Sequence, residues 1–158
     1  MAVTLTAASA LWFVAAAFAA VVTTEIPTED ILRWVQTCNK TYPVSQEMLR
    51  SLASTGGLLS DESDVNSRCY LECYERLGGT VNSDGKVNVE KAVTVMVSYY
   101  PKVAELGVDT VTEILKNCNS KSGTGQCMTS YLIRNCFIEG LNAKSPHTSV
   151  FDTSSYYI

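Results

Sequence analysis

Six cysteines are the most reactive residues of this chain, and from Cys38 to Cys136 their spacing reads C-x30-C-x3-C-x44-C-x8-C-x8-C. An even number of thiols in a short chain either oxidises in pairs or holds a metal. Structural zinc usually wants two short Cys-x2-4-Cys or His-x3-5-His knuckles. Only Cys69 to Cys73 has such a spacing, and the single histidine, His147, lies near the C-terminus. The expectation is disulfides, with no metal and no cofactor. One histidine also leaves no Ser-His or Cys-His dyad on the body of the chain, so no hydrolase is expected.

Disulfides need an oxidising compartment, and the N-terminus offers the route to one. Met1 to Val22 carries no charged side chain, and Leu11 to Val22 is an unbroken apolar run. Ala17-Phe18-Ala19 supplies the small-x-small pattern that a signal peptidase reads. Residues 1–19 therefore read as a cleaved signal peptide, with a signal anchor as the alternative, and the protein is expected to be secreted. The whole chain has 158 residues, 46% hydrophobic and 18% charged, which suits one domain. Its net charge of −4 offers no basic face for phosphates, which excludes nucleic acid as a partner.

The elements that must position these cysteines are helical, because apolar residues recur at three and four rather than alternating. Thr28 reads as the N-cap of a first helix with Ile31, Trp34, Val35 and Cys38 along it, stopped at Pro43. Ser45 caps a second, carrying Met48, Leu49 and Leu52 and ended by Gly56-Gly57. Ser60 or Asp61 opens a third, with Val65, Cys69, Cys73 and Leu77, closed by Gly78-Gly79. After a turn at Asn82-Ser83-Asp84-Gly85, Asn88 caps a fourth helix with the stripe Val89, Ala92, Val93, Met96 and Tyr100, closed by Pro101. Val108, Val111, Ile114, Leu115 and Cys118 belong to a fifth, and Met128, Tyr131, Leu132 and Cys136 to a sixth. The fold class is all-α: a six-helix, disulfide-stapled single domain over residues 20–140. Residues 141–158 read as a C-terminal tail, apolar enough through Val150, Phe151, Tyr156 and Tyr157 to dock on the body.

Helical geometry constrains the cysteine pairing without completing it. Cys69 and Cys73, at i and i+4, share one face and must reach different partners. Cys127 and Cys136 are separated by about 900° at ~100° per residue, which places them on opposite sides of the sixth helix. Of the fifteen pairings formally open, this favours those that tie the third and sixth helices to separate neighbours.

With x3 between the second and third cysteines, x8 between the fifth and sixth, and the stretch Cys69 to Lys91 reading CYLECYERLGGTVNSDGKVNVEK, the chain resembles the six-cysteine insect odorant-binding proteins, the pheromone-binding and general odorant-binding type. The resemblance implies disulfides Cys38 to Cys73, Cys69 to Cys127 and Cys118 to Cys136. It also implies an apolar internal cavity that takes up a small hydrophobic molecule and carries it through aqueous lymph, with no chemistry done. The partners on this reading are that apolar or amphipathic molecule, an olfactory receptor at a membrane and a second copy in a weak homodimer.

The cavity wall is expected at Val89, Ala92, Val93 and Met96 of the fourth helix, Val111 and Ile114 of the fifth and Leu132 of the sixth; a plain apolar core is the alternative. Thr80, with Tyr74, Tyr99, Tyr100 and Tyr131 behind it, is the polar candidate for orienting a ligand, against the simpler role of a turn threonine. Val150 and Phe151 could close the cavity as a lid anchored by Asp152 or the terminal carboxylate, which acid would release. The Thr80–Lys91 loop has a glycine at the EF-hand position, but Lys91 stands where calcium needs a bidentate Glu. Asn39-Lys40-Thr41 is an N-glycosylation acceptor that abuts Cys38 at a helix end and is expected to go unused. The rival function is a secreted salivary or signalling protein that binds biogenic amines or a receptor.

Overall fold

The computed structural model describes residues 27–55 and 57–145. The expected signal peptide, residues 1–19, and Val150 and Phe151, expected to form a lid, lie outside the described residues. Among the described residues seven helices follow one another: α1 (Thr28–Thr41), α2 (Gln46–Ser54), α3 (Val65–Leu77), α4 (Val89–Tyr99), α5 (Pro101–Glu105), α6 (Val108–Cys118) and α7 (Met128–Lys144). Among the described residues there is no strand, only an isolated antiparallel bridge between Val81 and Val87.

Two of the expected caps act as caps. Ser45 accepts from Met48 N, and Asn88 accepts from Lys91 N, each satisfying one orphan amide at a helix start. Other boundaries fall elsewhere, each for a local reason. The third helix starts at Val65, because Asp61 spends its carboxylate on Ser63 N and Ser63 Oγ in a turn of its own. Asp64 then caps, accepting from Asn66 N and Ser67 N. Pro101 does not merely stop the fourth helix; it occupies the first position of α5, where its missing N–H costs nothing. That added turn makes seven helices instead of six. Thr28 lies inside α1, whose N-cap is Pro27.

The last helix runs through Gly140 to Lys144, so residues 141–144 are helix and not tail. A Cβ on Gly140 would meet Ile114 Cγ2 at 2.5 Å, so this glycine lets α7 lie closely against α6. It marks a crossing, not a stop.

Three disulfides hold this set: Cys38–Cys73 joins α1 to α3, Cys69–Cys127 joins α3 to the start of α7, and Cys118–Cys136 joins α6 to the middle of α7. These are the pairs the family resemblance implies. Cys127 stands just before α7 in the left-handed region (φ 57°) rather than within the helix. Trp34 adds an edge-to-face contact with Tyr74, ring centroids 5.8 Å apart, beside the α1–α3 bond.

Closing a loop of 18 residues or more removes chain entropy from the unfolded state. Replacing Cys118 and Cys136 together by serine is expected to cost about 2 to 4 kcal/mol, read as a lower urea midpoint with the helical circular dichroism retained before unfolding. A midpoint unchanged from that of the parent would show that the bond adds nothing to the fold.

Candidate functional site

The apolar interior divides into two clusters on either side of α7. The first gathers Ala92 and Val93 of α4, Val103 of α5, Val111, Leu115 and Cys118 of α6, and Ile133, Phe137, Ile138 and Leu141 of α7. Val89, Met96 and Ile114 pack against it half-buried. Six of the seven residues expected at a cavity wall are thus brought together from two helices. Leu132 is not among them: it lies half-buried beside the 123 loop, where a Cβ on Gly123 would stand 2.8 Å from its Cδ1. Its neighbour Ile133, fully buried, takes the inward position. The second cluster, Cys38, Leu52, Leu59, Tyr70, Leu71 and Tyr131, fills the space between α1, α2, α3 and α7. The α2–α3 loop spans both, with Leu58 packed on the first and Leu59 buried in the second.

Thr80 is used locally. Its hydroxyl donates to Glu75 O at 3.0 Å, as does its backbone amide at 2.9 Å, so its proton closes the end of α3 and only its lone pairs are left to meet another group. Behind it, Asn82 N donates to Lys86 O and Asn88 N to Thr80 O. Asn119 then pairs with both backbone groups of Val87, its Oδ1 accepting at 2.9 Å and its Nδ2 donating at 3.1 Å. The turn is thereby tied to the end of α6. Tyr131 is 2% exposed, and its hydroxyl meets no hydrogen-bond partner among the described residues.

A polar seam, invisible to an apolar-periodicity argument, joins α3 to α7. Glu72 is buried with both oxygens engaged: Ser130 Oγ donates to Oε2 at 2.6 Å and Arg76 reaches Oε1 at 2.5 Å. One turn on, Arg134 forms an ion pair with Glu75 and donates through Nε to Gly57 O at 3.2 Å. Gly57 has φ +95°, which calls for glycine, and a Cβ there would stand 2.8 Å from the Arg134 guanidinium and push it aside. Asn135 Nδ2 holds Glu62 Oε1 at 3.2 Å, and Arg68 donates to Glu62 O, so the same loop is fastened at two places. Burial pushes the Glu75 carboxyl above its ordinary range; Arg134 opposes that rise and Glu72 adds to it. The i, i+3 spacing places the acids at 72 and 75 on one face of α3, but nothing local to that helix names Ser130 and Arg134 of α7 as their partners.

Comparison with known proteins adds one positive finding. The model of the PBP/GOBP family matches residues 21–140. No curated protein and no solved structure matches the chain significantly.

The raised Glu75 pKa sets a sign for the pH dependence. Between the carboxyl's unfolded value and its higher folded value the native state holds more protons, so this group adds stability below the unfolded value and loses it as pH rises through the folded one. Glu75→Gln is expected to flatten that acid-side rise in the urea midpoint; an unaltered pH profile would contradict the raised Glu75 pKa. Arg134→Ala, which strands the carboxylate, is expected to cost on the order of 3 kcal/mol at neutral pH and less in mild acid.

Proposed function

The chain belongs to the PBP/GOBP family, whose model covers residues 21–140, and from that premise we propose a secreted carrier that takes a small hydrophobic molecule, an odorant or pheromone, into its interior and conveys it through aqueous lymph. The observation that carries the reading is the family match on a helical scaffold closed by three disulfides. Among the described residues no helix is long and apolar enough to cross a membrane.

The binding site in this proposal is the first apolar cluster. Val89, Ala92, Val93 and Met96 form one wall, and Val111 and Ile114 the other. Two of these features suit a variable ligand: Ala92 leaves room, and the unbranched Met96 side chain can change rotamer. Cross-links relieve such an interior of the need to be packed to full density, since part of the stability comes from the restricted unfolded chain. Thr80 is the polar group proposed to orient a ligand hydroxyl, and only as an acceptor; Tyr131 belongs to the second cluster, across α7 from this site. The tail, with Val150 and Phe151, closes the site; its anchoring carboxylate is lost as pH falls, which releases the ligand. Delivery to a receptor and a weak homodimer complete the proposed partners.

Displacement of an apolar fluorescent probe from the oxidised protein tests this. Stoichiometric binding at neutral pH that is lost in mild acid only while residues 146–158 are present is the expected result. Binding indifferent to acid and to truncation would remove the lid but keep the carrier; no binding of any apolar probe would remove the carrier. Ala92→Leu separates a cavity wall from a packed core. In a cavity it abolishes probe binding at a stability cost under about 1 kcal/mol, whereas in a packed core it costs about 1 to 3 kcal/mol.

A further inference from the structure

We propose that Asn39 is a modification site that carries an N-linked glycan. The proposal rests on the export part of the function proposed above, because the transferring enzyme works only in the secretory route. Asn39-Lys40-Thr41 has the required Asn-x-Thr order with no proline at the middle position, and no other asparagine of the chain has Ser or Thr two residues on. The sequence alone argued against its use, through its closeness to Cys38 at a helix end. The geometry reverses that argument.

Asn39, Lys40 and Thr41 are all exposed, although Cys38 next to them is fully buried. They form the last turn of α1, after which Tyr42 leaves the helix with φ −127°. Asn39 Oδ1 accepts from Val44 N at 3.0 Å. An amide N–H can only donate, so the oxygen must be the atom facing Val44. Nδ2 is thus the outer atom of the side chain, with no partner among the described residues. It is also the atom that would bear the sugar, and an N-linked sugar leaves the Oδ1 acceptor in place. The folded protein therefore accommodates the glycan without giving up a contact.

The neighbouring disulfide is no obstacle on grounds of order. Cys38 pairs with Cys73, 35 residues further along, so during synthesis the acceptor reaches the transferase while the chain is extended and before its neighbour's partner arrives. In the transfer, Nδ2 forms a bond to the anomeric carbon of a polyisoprenyl-diphosphate-linked oligosaccharide. The carbon–oxygen bond to the diphosphate breaks, the diphosphate leaves with the electron pair, and the amide nitrogen gives up one proton. No oxidant or reductant is needed.

The test is expression of the full chain, with its own N-terminus, in insect cells, followed by intact-mass and glycopeptide analysis of medium and cell fractions separately. Chain recovered from the medium is expected to carry a hexose-rich mass on the Asn39 peptide. That mass should be absent from Thr41→Ala, which keeps the Asn39–Val44 bond, and present in Thr41→Ser. Exported, oxidised chain at its unmodified mass would overturn the proposal while leaving the carrier reading intact. Chain found only inside the cells and unmodified would overturn the export reading, and the glycan with it. Should Thr41→Ala fail to leave the cell, Asn39→Gln and glycosidase treatment of the parent decide the same question: a mass lost in both supports the glycan, and a mass unchanged in both overturns it.

Discussion

The position of α7 between α3 and α6 is the constraint on which the rest depends. A helix of 17 residues is fixed at its start by Cys127 to α3 and in its middle by Cys136 to α6. Between and beyond those bonds it sends Tyr131 into one apolar cluster, and Ile133, Phe137, Ile138 and Leu141 into the other. Such a helix cannot show a single apolar stripe, since it is enclosed on more than one side. It must instead be placed by specific bonds, which the disulfides and the polar seam provide. Two covalent points fix its place along α3 and α6; Ser130 and Arg134 set its rotation against α3.

The polar seam has a structural logic of its own. Glu72 is buried and Glu75 half-buried where an apolar residue would pack more cheaply, and each carboxylate is kept by a hydroxyl or a guanidinium partner. Arg134 serves two ends at once, the Glu75 carboxylate and the carbonyl of Gly57. It thereby ties the α2–α3 loop, which carries Leu58 and Leu59 into the two clusters, to the element that separates them. A change in the charge of Glu75 is felt through one side chain by loop, α3 and α7 together.

Much of this was legible in residue types and spacing. The shared face of Cys69 and Cys73, the caps at Ser45 and Asn88, and the gathering of Val89, Ala92, Val93, Met96, Val111 and Ile114 follow from local rules, whereas the helical facing of Cys127 against Cys136 does not hold, because Cys127 precedes α7 with φ 57°. What was not legible had two causes. One residue type can serve two ends: Gly140 reads as a helix stop yet permits a close crossing with Ile114, Pro101 reads as a terminator yet opens α5, and Asp61 reads as a cap yet closes a turn. The other cause is the enclosure of α7, which makes Leu132 and Ile133 equivalent by periodicity although only the second faces the core. The seam of Glu72, Glu75, Ser130 and Arg134 depends on partners about 58 residues apart, and no local pattern announces it.

On the proposed function the molecule is a scaffold whose cross-links carry enough of the stability for an apolar cluster between α4, α6 and α7 to receive a guest. The most direct test is a titration of the oxidised, methyl-labelled protein with a long-chain alcohol, followed by nuclear magnetic resonance. A guest in that cluster predicts saturable shifts and intermolecular contacts at Val93, Met96, Val111 and Ile114, with Leu52 and Leu59 of the second cluster little changed. Saturation that leaves those four methyl-bearing residues unmoved, or contacts confined to exposed residues such as Leu32 and Val108, would contradict it.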